Sequence, residues 1–343
     1  MIKTFADGAA FVAIDLEGAE RSVGIVRQAR KILQGGAEDL ARSLTYTFAS
    51  LELRQSGASA GVNADGDDRP TAIAAFVADI APLVADNEFL PDPGKGVSPD
   101  DLAPLADHDP RSPLRHLDRD GVPFAAELAA TSTAAAIERT LDGLDGQRVA
   151  IEGFEVNGTA LTRELAAGGA RITALSTAAG VVADPEGIDP DAIAAAWREH
   201  GPAMIGHLGP TPDHPIFAAD VDILIPSSKM GCLTHREAET VRAGLVAPGA
   251  PLPVTARGLA VLRAADSLML PDFVTQAGPV WAWEVAPNAT PDDVRAAATD
   301  GVRAIIDDVL DHEAGAFLGA CLRAEAFLST WQDTLPFGRP LAA

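Results

Sequence analysis

The stretch from Arg148 to Leu175 restricts the possible folds more than any other part of the chain. Arg148-Val149-Ala150-Ile151-Glu152 is a short strand-like run that meets Gly153, and a helix-forming stretch follows from about Gly158 to Ala167. Gly168-Gly169 then leads into a second strand-like run, Arg171 to Leu175. Strand, helix and strand within about 30 residues make a βαβ unit, whose long connection lays the two strands parallel. Two more apolar runs stop at proline: Val221-Asp222-Ile223-Leu224-Ile225-Pro226, followed by Ser227-Ser228, and Leu268-Met269-Leu270-Pro271. Such runs with helices between them predict an α/β fold built on a doubly wound parallel sheet.

The N-terminal third has a different rhythm. Phe11 to Leu16 reads as a strand, and between Lys31 and Leu53 the residues Leu33, Leu40, Leu44 and Phe48 recur at helical spacing. Ile73, Phe76, Val77, Ile80 and Val84 form a second stripe, with Pro82 expected to kink its helix. Both stripes are expected to face the core. Pro91 to Pro123 is crowded with Pro, Asp and Gly, which predicts a loop-rich domain junction. Near the end, Thr290 as N-cap, Pro291 at the first helical position and Asp292-Asp293 in the first turn predict a helix start. Its apolar face is Val302, Ile305, Ile306 and Val309, and Trp281 and Trp283 just before it read as packing residues.

Of the 343 residues 26 are basic and 49 acidic, a net charge of −23 that argues against a nucleic-acid groove. With 47% apolar and 22% charged residues the chain can bury a core, so global disorder is excluded. No apolar run approaches the roughly 20 residues that span a bilayer, and Asp7, Asp15 and Glu17 interrupt the first apolar stretch as no secretory signal would. The expected setting is the cytoplasm, with no membrane partner. Cys232 and Cys321 are too few for a disulfide framework, and the scattered histidines lack metal-ligand spacing, so no structural metal is expected. Only four lysines are present: Lys3, Lys31, Lys95 and Lys229.

Ordered motifs along the chain resemble the glutamate/leucine/phenylalanine/valine dehydrogenase family. Val149 to Gly158 looks like that family's strand and GxGNVG turn, and Asp222 to Pro226 like its DILIP strand. Val246 to Ala250 resembles the VxxGAN segment, and Pro271-Asp272-Phe273 with Ala277-Gly278 the PDFxxNAGG motif. In the N-terminal half, Gly24 and Arg27 match GGxR, Leu44-Thr45-Tyr46-Thr47 matches MTYK, and Ser56-Gly57-Ala58-Ser59 matches GGAK. The resemblance implies a Rossmann domain over 126–289 that binds NAD or NADP. It also implies a discontinuous α/β substrate domain, 1–125 completed by the C-terminal helices of 290–343, with chemistry in the cleft between the two. A homo-oligomer, with a dimer favoured, is the implied assembly.

The family's reacting groups are two lysines and an aspartate. The resemblance places Thr47 at the lysine that grips the substrate carboxylate, Ser59 at the lysine beside the reacting carbon and Gly94 at the proton-shuttling aspartate. Each lost charge typically slows such chemistry by about two or more orders of magnitude, so ordinary oxidative deamination is not expected. Substrate contacts are carried over to Thr47, Gly57 and Ser59. Cofactor contacts are carried over to Thr131, Gly153, Glu155, Asn157, Gly158, Ser176, Thr177 and Ser227. Two of these are altered: Glu155 stands where a glycine lets the pyrophosphate approach, and Thr177 where a carboxylate grips the ribose. Weakened cofactor binding with Glu155 turned outward, and outright loss, stay open as equal alternatives.

Lys229, after the DILIP strand, and Lys95, in the loop of the lost aspartate, are the candidate replacement cations. Asp92 is the candidate acid or base. The leading expectation is a divergent NAD(P)-linked oxidoreductase on an unusual small keto, imine or amino substrate. The alternatives are a non-redox enzyme performing proton transfer, isomerisation or elimination, and a non-catalytic member of the family.

Overall fold

A computed structural model of the chain describes every residue except 120, 284, 287, 337 and 343. It divides into two compact units. The first comprises Met1–Arg111 and Cys321–Pro340, and the second Ser112–Ala320 with the chain end from Leu341. No helix among the described residues is long and apolar enough to cross a membrane.

The first unit is built on a five-stranded sheet of β1 (Ile2–Phe5), β2 (Ala10–Ile14), β3 (Ser22–Ala29), β4 (Ser56–Asn63) and β5 (Phe89–Pro93), in the order β1-β2-β4-β3-β5. β4 and β5 run parallel to β3, with Ile25 opposite both Ser59 and Asp92. Alternation along the strands therefore puts Val23, Ile25 and Arg27 on one face with Gly57, Ser59 and Gly61. Helix α1 (Gln34–Ser50) lies on that face, and α2 (Arg69–Ala85) also packs on the sheet, running unbroken through Pro82.

The stripe expected for α2 is the buried one: Ile73, Phe76, Val77, Ile80 and Val84. For α1 the expectation is corrected. Leu33 is 65% exposed and precedes the helix, Leu40 and Leu44 are only half-buried, and the inward face is Ala37, Ala41, Thr45 and Phe48. The reason is the closeness of the approach, because a Cβ on Gly57 would stand 1.9 Å from the Ala41 carbonyl oxygen and 2.6 Å from the Thr45 nitrogen. Small side chains are required where helix and strand backbones nearly touch.

The second unit holds the predicted βαβ unit and a six-stranded sheet: β6 (Arg148–Glu152), β7 (Arg171–Thr177), β8 (Gly180–Ala183), β9 (Ile223–Pro226), β10 (Leu245–Val246) and β11 (Leu268–Met269). Their order is β8-β7-β6-β9-β10-β11, parallel throughout except for the antiparallel pair β7/β8. The chain leaves central β6 on one side to make β7 and returns on the other to make β9. That reversal opens a crevice at the carboxyl ends of β6 and β9, where open α/β sheets collect ligands. The longer helices of this unit are α3 (Phe124–Leu141), α4 (Val156–Ala167), α5 (Pro190–His200), α6 (Ala256–Ala264) and α7 (Pro291–Val309). A further helix, α8 (Ala316–Leu328), contains the point where the chain passes back into the first unit.

Two expected boundaries are corrected. Residue 125 falls inside α3, and the division lies earlier, at Arg111/Ser112, because the Ser112 amide already donates to the Trp283 carbonyl oxygen and Phe124 and Leu128 share a core with Ala282, Val294 and Ala298. Helix α7 packs in that same core and joins it through Arg295 with Glu127 and Arg303 with Glu138, so the return to the first unit starts at Cys321 and not at 290. The α7 start has the expected form, with Thr290 and Asp293 in a reciprocal capping box.

Gly57→Ala is expected to destabilise the protein by about 1–3 kcal/mol, since both crowded atoms belong to backbone that must shift. Urea unfolding with an unchanged m-value checks this against Gly66→Ala, where a Cβ meets nothing within 4 Å.

Candidate functional site

The crevice is held open by contacts between strand ends. Gly153 follows β6 with φ of +79°, and a Cβ there would stand 2.3 Å from the Ser228 backbone, so only glycine fits. The Glu152 carboxylate accepts hydrogen bonds from the Ser227 and Ser228 amides, each 3.2 Å, which ties β6 to the end of β9. On the other side the Gly153 amide donates to Ser176 Oγ at 3.0 Å. Gly158, in the first turn of α4, lies flat against the Phe154 ring, which a Cβ would approach to 2.6 Å.

A cavity of about 200 Å³ lies among Gly153, Glu155, Asn157, Gly158, Ser227 and Gln276, with Ile151, Leu161 and Ala130 as apolar wall. Ser227 Oγ is buried without a hydrogen-bond partner, and a Cβ on Gly249 would reach within 2.1 Å of it. Thr131 Oγ1 on α3 is likewise buried and unpartnered. Gln276 is anchored through Nε2, which donates to Thr133 Oγ1 at 2.9 Å and to the Pro248 carbonyl oxygen at 3.3 Å. The described lining residues include no cation. The N-terminus of α4 supplies partial positive charge, and Glu155, exposed and extended at φ −130°, makes no capping hydrogen bond to it.

These features fit the polar end of a dinucleotide: a cavity at a helix N-terminus, with the unspent buried hydroxyl of Ser227 in its lining. The adenosine end fits less well. Thr177, expected to meet the ribose, donates its hydroxyl to the Pro202 carbonyl oxygen at 2.7 Å and accepts from the Ala179 amide, so it is spent on the local turn.

The other expected site residues are distributed as follows. Lys229 and Lys95 have exposed side chains, and Lys95 is fixed only through its carbonyl oxygen, which accepts from the Gln28 amide. Asp92 is corrected from free acid or base to ion-pair partner: its carboxylate holds Arg111 Nη1 at 2.8 Å, and Arg111, 4% exposed, is gripped as well by Asp109 and the Pro91 carbonyl oxygen. Thr47 is buried and donates to the Ser43 carbonyl oxygen within α1, and Gly57 is the packing glycine described above. Ser59 is fully buried, and its Oγ accepts a 3.3 Å hydrogen bond from Arg27 Nη2. Gly94 completes this cluster, since a Cβ there would lie 3.1 Å from Arg27 Cγ. Arg27 is the residue that the sequence reading left without a role, and its match to GGxR was the available signal.

Among the described residues no group of three or more His, Cys, Asp and Glu could hold a metal ion.

The glutamate/leucine/phenylalanine/valine dehydrogenase model matches residues 125–313, from α3 through α7. The chain belongs to that family. A glutamate dehydrogenase of Aeropyrum pernix is 34% identical over 152 residues, covering 44% of this chain and 36% of that enzyme. An NAD-specific glutamate dehydrogenase A of Halobacterium salinarum is 26% identical over 257 residues, covering 69% and 59%. The matched region is thus between about a third and three fifths of these relatives' length. Among solved structures, the hetero-hexameric glutamate dehydrogenase of Thermus thermophilus in its leucine-bound form superposes with a TM-score of 0.79 at 20% identity, covering 98% of this chain and 90% of that one. The chain therefore has the α/β fold of amino-acid dehydrogenases along nearly its whole length.

Burial, with the Glu152 carboxylate beside it, pushes the Cys232 thiol up to about 12 from its ordinary 9. A thiol held neutral in the fold favours the folded state below pH 9, and that contribution is lost as pH rises from 9 towards 12, because the unfolded chain ionises first. Iodoacetamide at pH 8 is expected to label folded protein at least about tenfold more slowly than urea-unfolded protein, read by mass spectrometry of the Cys232 peptide.

Proposed function

We propose that this chain is a divergent NAD(P)-linked oxidoreductase acting on a small keto, imine or amino substrate, and that it lacks standard glutamate, leucine, phenylalanine or valine dehydrogenase activity. The observation that carries the reading is the cavity at the carboxyl ends of β6 and β9, with the unpartnered Ser227 hydroxyl in its lining. In this reading Gly153, Asn157 and Gly158 would hold the phosphates, and Ser227, Thr131 and Gln276 the polar end of the nicotinamide. Ser176, whose Oγ accepts from the Gly153 amide, would support the turn. The nicotinamide, when bound, supplies the hydride donor or acceptor. The apolar wall of Ile151, Leu161 and Ala130 keeps water from it.

The changes at Thr47, Ser59 and Gly94 are the ground for excluding the parent reaction, since two hydroxyls and a hydrogen cannot replace two ammonium groups and a carboxylate. A second reading, a non-redox enzyme or a non-catalytic relative, is favoured by Glu155 at the phosphate turn and by the engaged hydroxyl of Thr177.

Calorimetric titration with NAD+, NADH and their phosphorylated forms is expected to give a dissociation constant no weaker than about 1 mM for at least one of them. Glu155→Gly is expected to tighten that binding about three- to tenfold by removing an anion from the phosphate path. No heat with any form, and none after Glu155→Gly, would sink the redox reading. Purified protein is expected not to deaminate glutamate, leucine, phenylalanine or valine at about 1 per second or more, the ordinary range for an enzyme. We also propose a homo-oligomer, with a dimer favoured. Light scattering that gave a single-chain mass of 35.4 kDa at all concentrations would contradict it.

A further inference from the structure

In a chain with 49 acidic residues against 26 basic ones, a half-buried guanidinium without an acidic partner stands out. Arg27 is such a group. Its Nε is buried with no hydrogen-bond partner, and its single hydrogen bond among the described residues is the 3.3 Å contact from Nη2 to Ser59 Oγ. Burial lowers its pKa with no carboxylate opposing the effect, although a guanidinium keeps its charge at any physiological pH. Other arginines of the first unit differ: Arg111 is held by Asp92 and Asp109, Arg42 by Asp15, and Arg69 by Asp101.

The setting keeps Arg27 unpaired and aimed. Arg27 projects from the same face of β3 as Ile25, opposite Ser59 and Gly61 on β4. Ser59 is fully buried and steadies one edge of the guanidinium, while the remaining Nη donors are neither buried nor bonded. On the other flank stands Gly94, which contributes no side chain where a Cβ would lie 3.1 Å from Arg27 Cγ. The cost of desolvating a charge is ordinarily offset by a partner, so a partly desolvated cation with an open edge is built for an anion from outside the chain.

We propose that Arg27, steadied by Ser59, is an anchor for a small carboxylate in the first unit. The planar fork of a guanidinium matches the two oxygens of a carboxylate. The exposed Lys95 follows Gly94 in the chain and adds positive charge to the same loop. This deepens the oxidoreductase reading, because it gives the keto, imine or amino substrate a carboxylate and assigns its anchor to neither Lys95 nor Lys229.

The test is calorimetric titration of the full chain with sodium pyruvate, and separately with inorganic phosphate, at constant ionic strength. Wild type is expected to bind pyruvate in the millimolar range, and Arg27→Gln to weaken it about ten- to a hundredfold with the urea midpoint little changed. Lys229→Ala is expected to leave pyruvate binding unaltered. Should Arg27→Gln fail to fold, Gly94→Asp replaces it: the new carboxylate sits against Arg27 and is expected to weaken pyruvate binding by a similar factor. Equal affinity in wild type and variant, absence of pyruvate binding up to about 50 mM, or phosphate binding in preference to pyruvate would each overturn the proposal. NAD+ titrated alone separates the two readings. Arg27-dependent pyruvate binding without dinucleotide binding removes the oxidoreductase and keeps the anchor. Dinucleotide binding with silent Arg27 variants does the reverse.

Discussion

One buried carboxylate organises the candidate cofactor site. Glu152, 8% exposed, accepts the amides of Ser227 and Ser228 and so pins the end of β9 to the end of β6. The close passage of Gly153 beneath Ser228, the unspent hydroxyl of Ser227 and the desolvated Cys232 thiol all lie beside that bond. A charged acceptor of two backbone amides makes hydrogen bonds roughly twice as strong as neutral ones, which keeps the two strand ends together at the edge of the cavity.

The first unit relies on closeness of another kind. Alanines on α1 and Gly57 on β4 let backbones approach to distances at which no larger side chain fits. Such packing leaves little room to adjust, so Ser59 and Arg27, on the same strand face a few ångströms along, inherit a fixed geometry. The short Ser59 side chain on β4 is met by Arg27 from β3, whose Nη2 donates to its hydroxyl at 3.3 Å.

Much of this was legible in the sequence. The βαβ unit, the strand from Ile223 and the capped helix from Thr290 each combine a period, a stop signal and a cap that agree with one another. Most of the inward face of α1 was not, because hydrophobic periodicity weights leucines while the close approach to β4 is made by Ala41 and Thr45. Residue types also do not disclose partners. Asp92 and Thr177 have the chemistry of a proton carrier and a ribose ligand, but Arg111 and the Pro202 carbonyl oxygen claim them, and both contacts come from residues 19 and 25 positions away. Arg27 escaped for the opposite reason, since the absence of a partner is visible only once all the neighbours are in place.

The layout of the first unit has a consequence for synthesis. Its helix α1 is tied to residues more than 270 positions later: Tyr46 donates its hydroxyl to the Glu325 carboxylate, which Arg339 also grips, and Arg42 reaches the carbonyl oxygen of Gly338. A ribosome delivers the first 111 residues long before these partners exist, so that sheet must wait, incompletely covered, while the second unit is made. Nascent chains halted before Cys321 should therefore depend on chaperones, and the arrival of residues 321–340 becomes the step that completes the first sheet's cover.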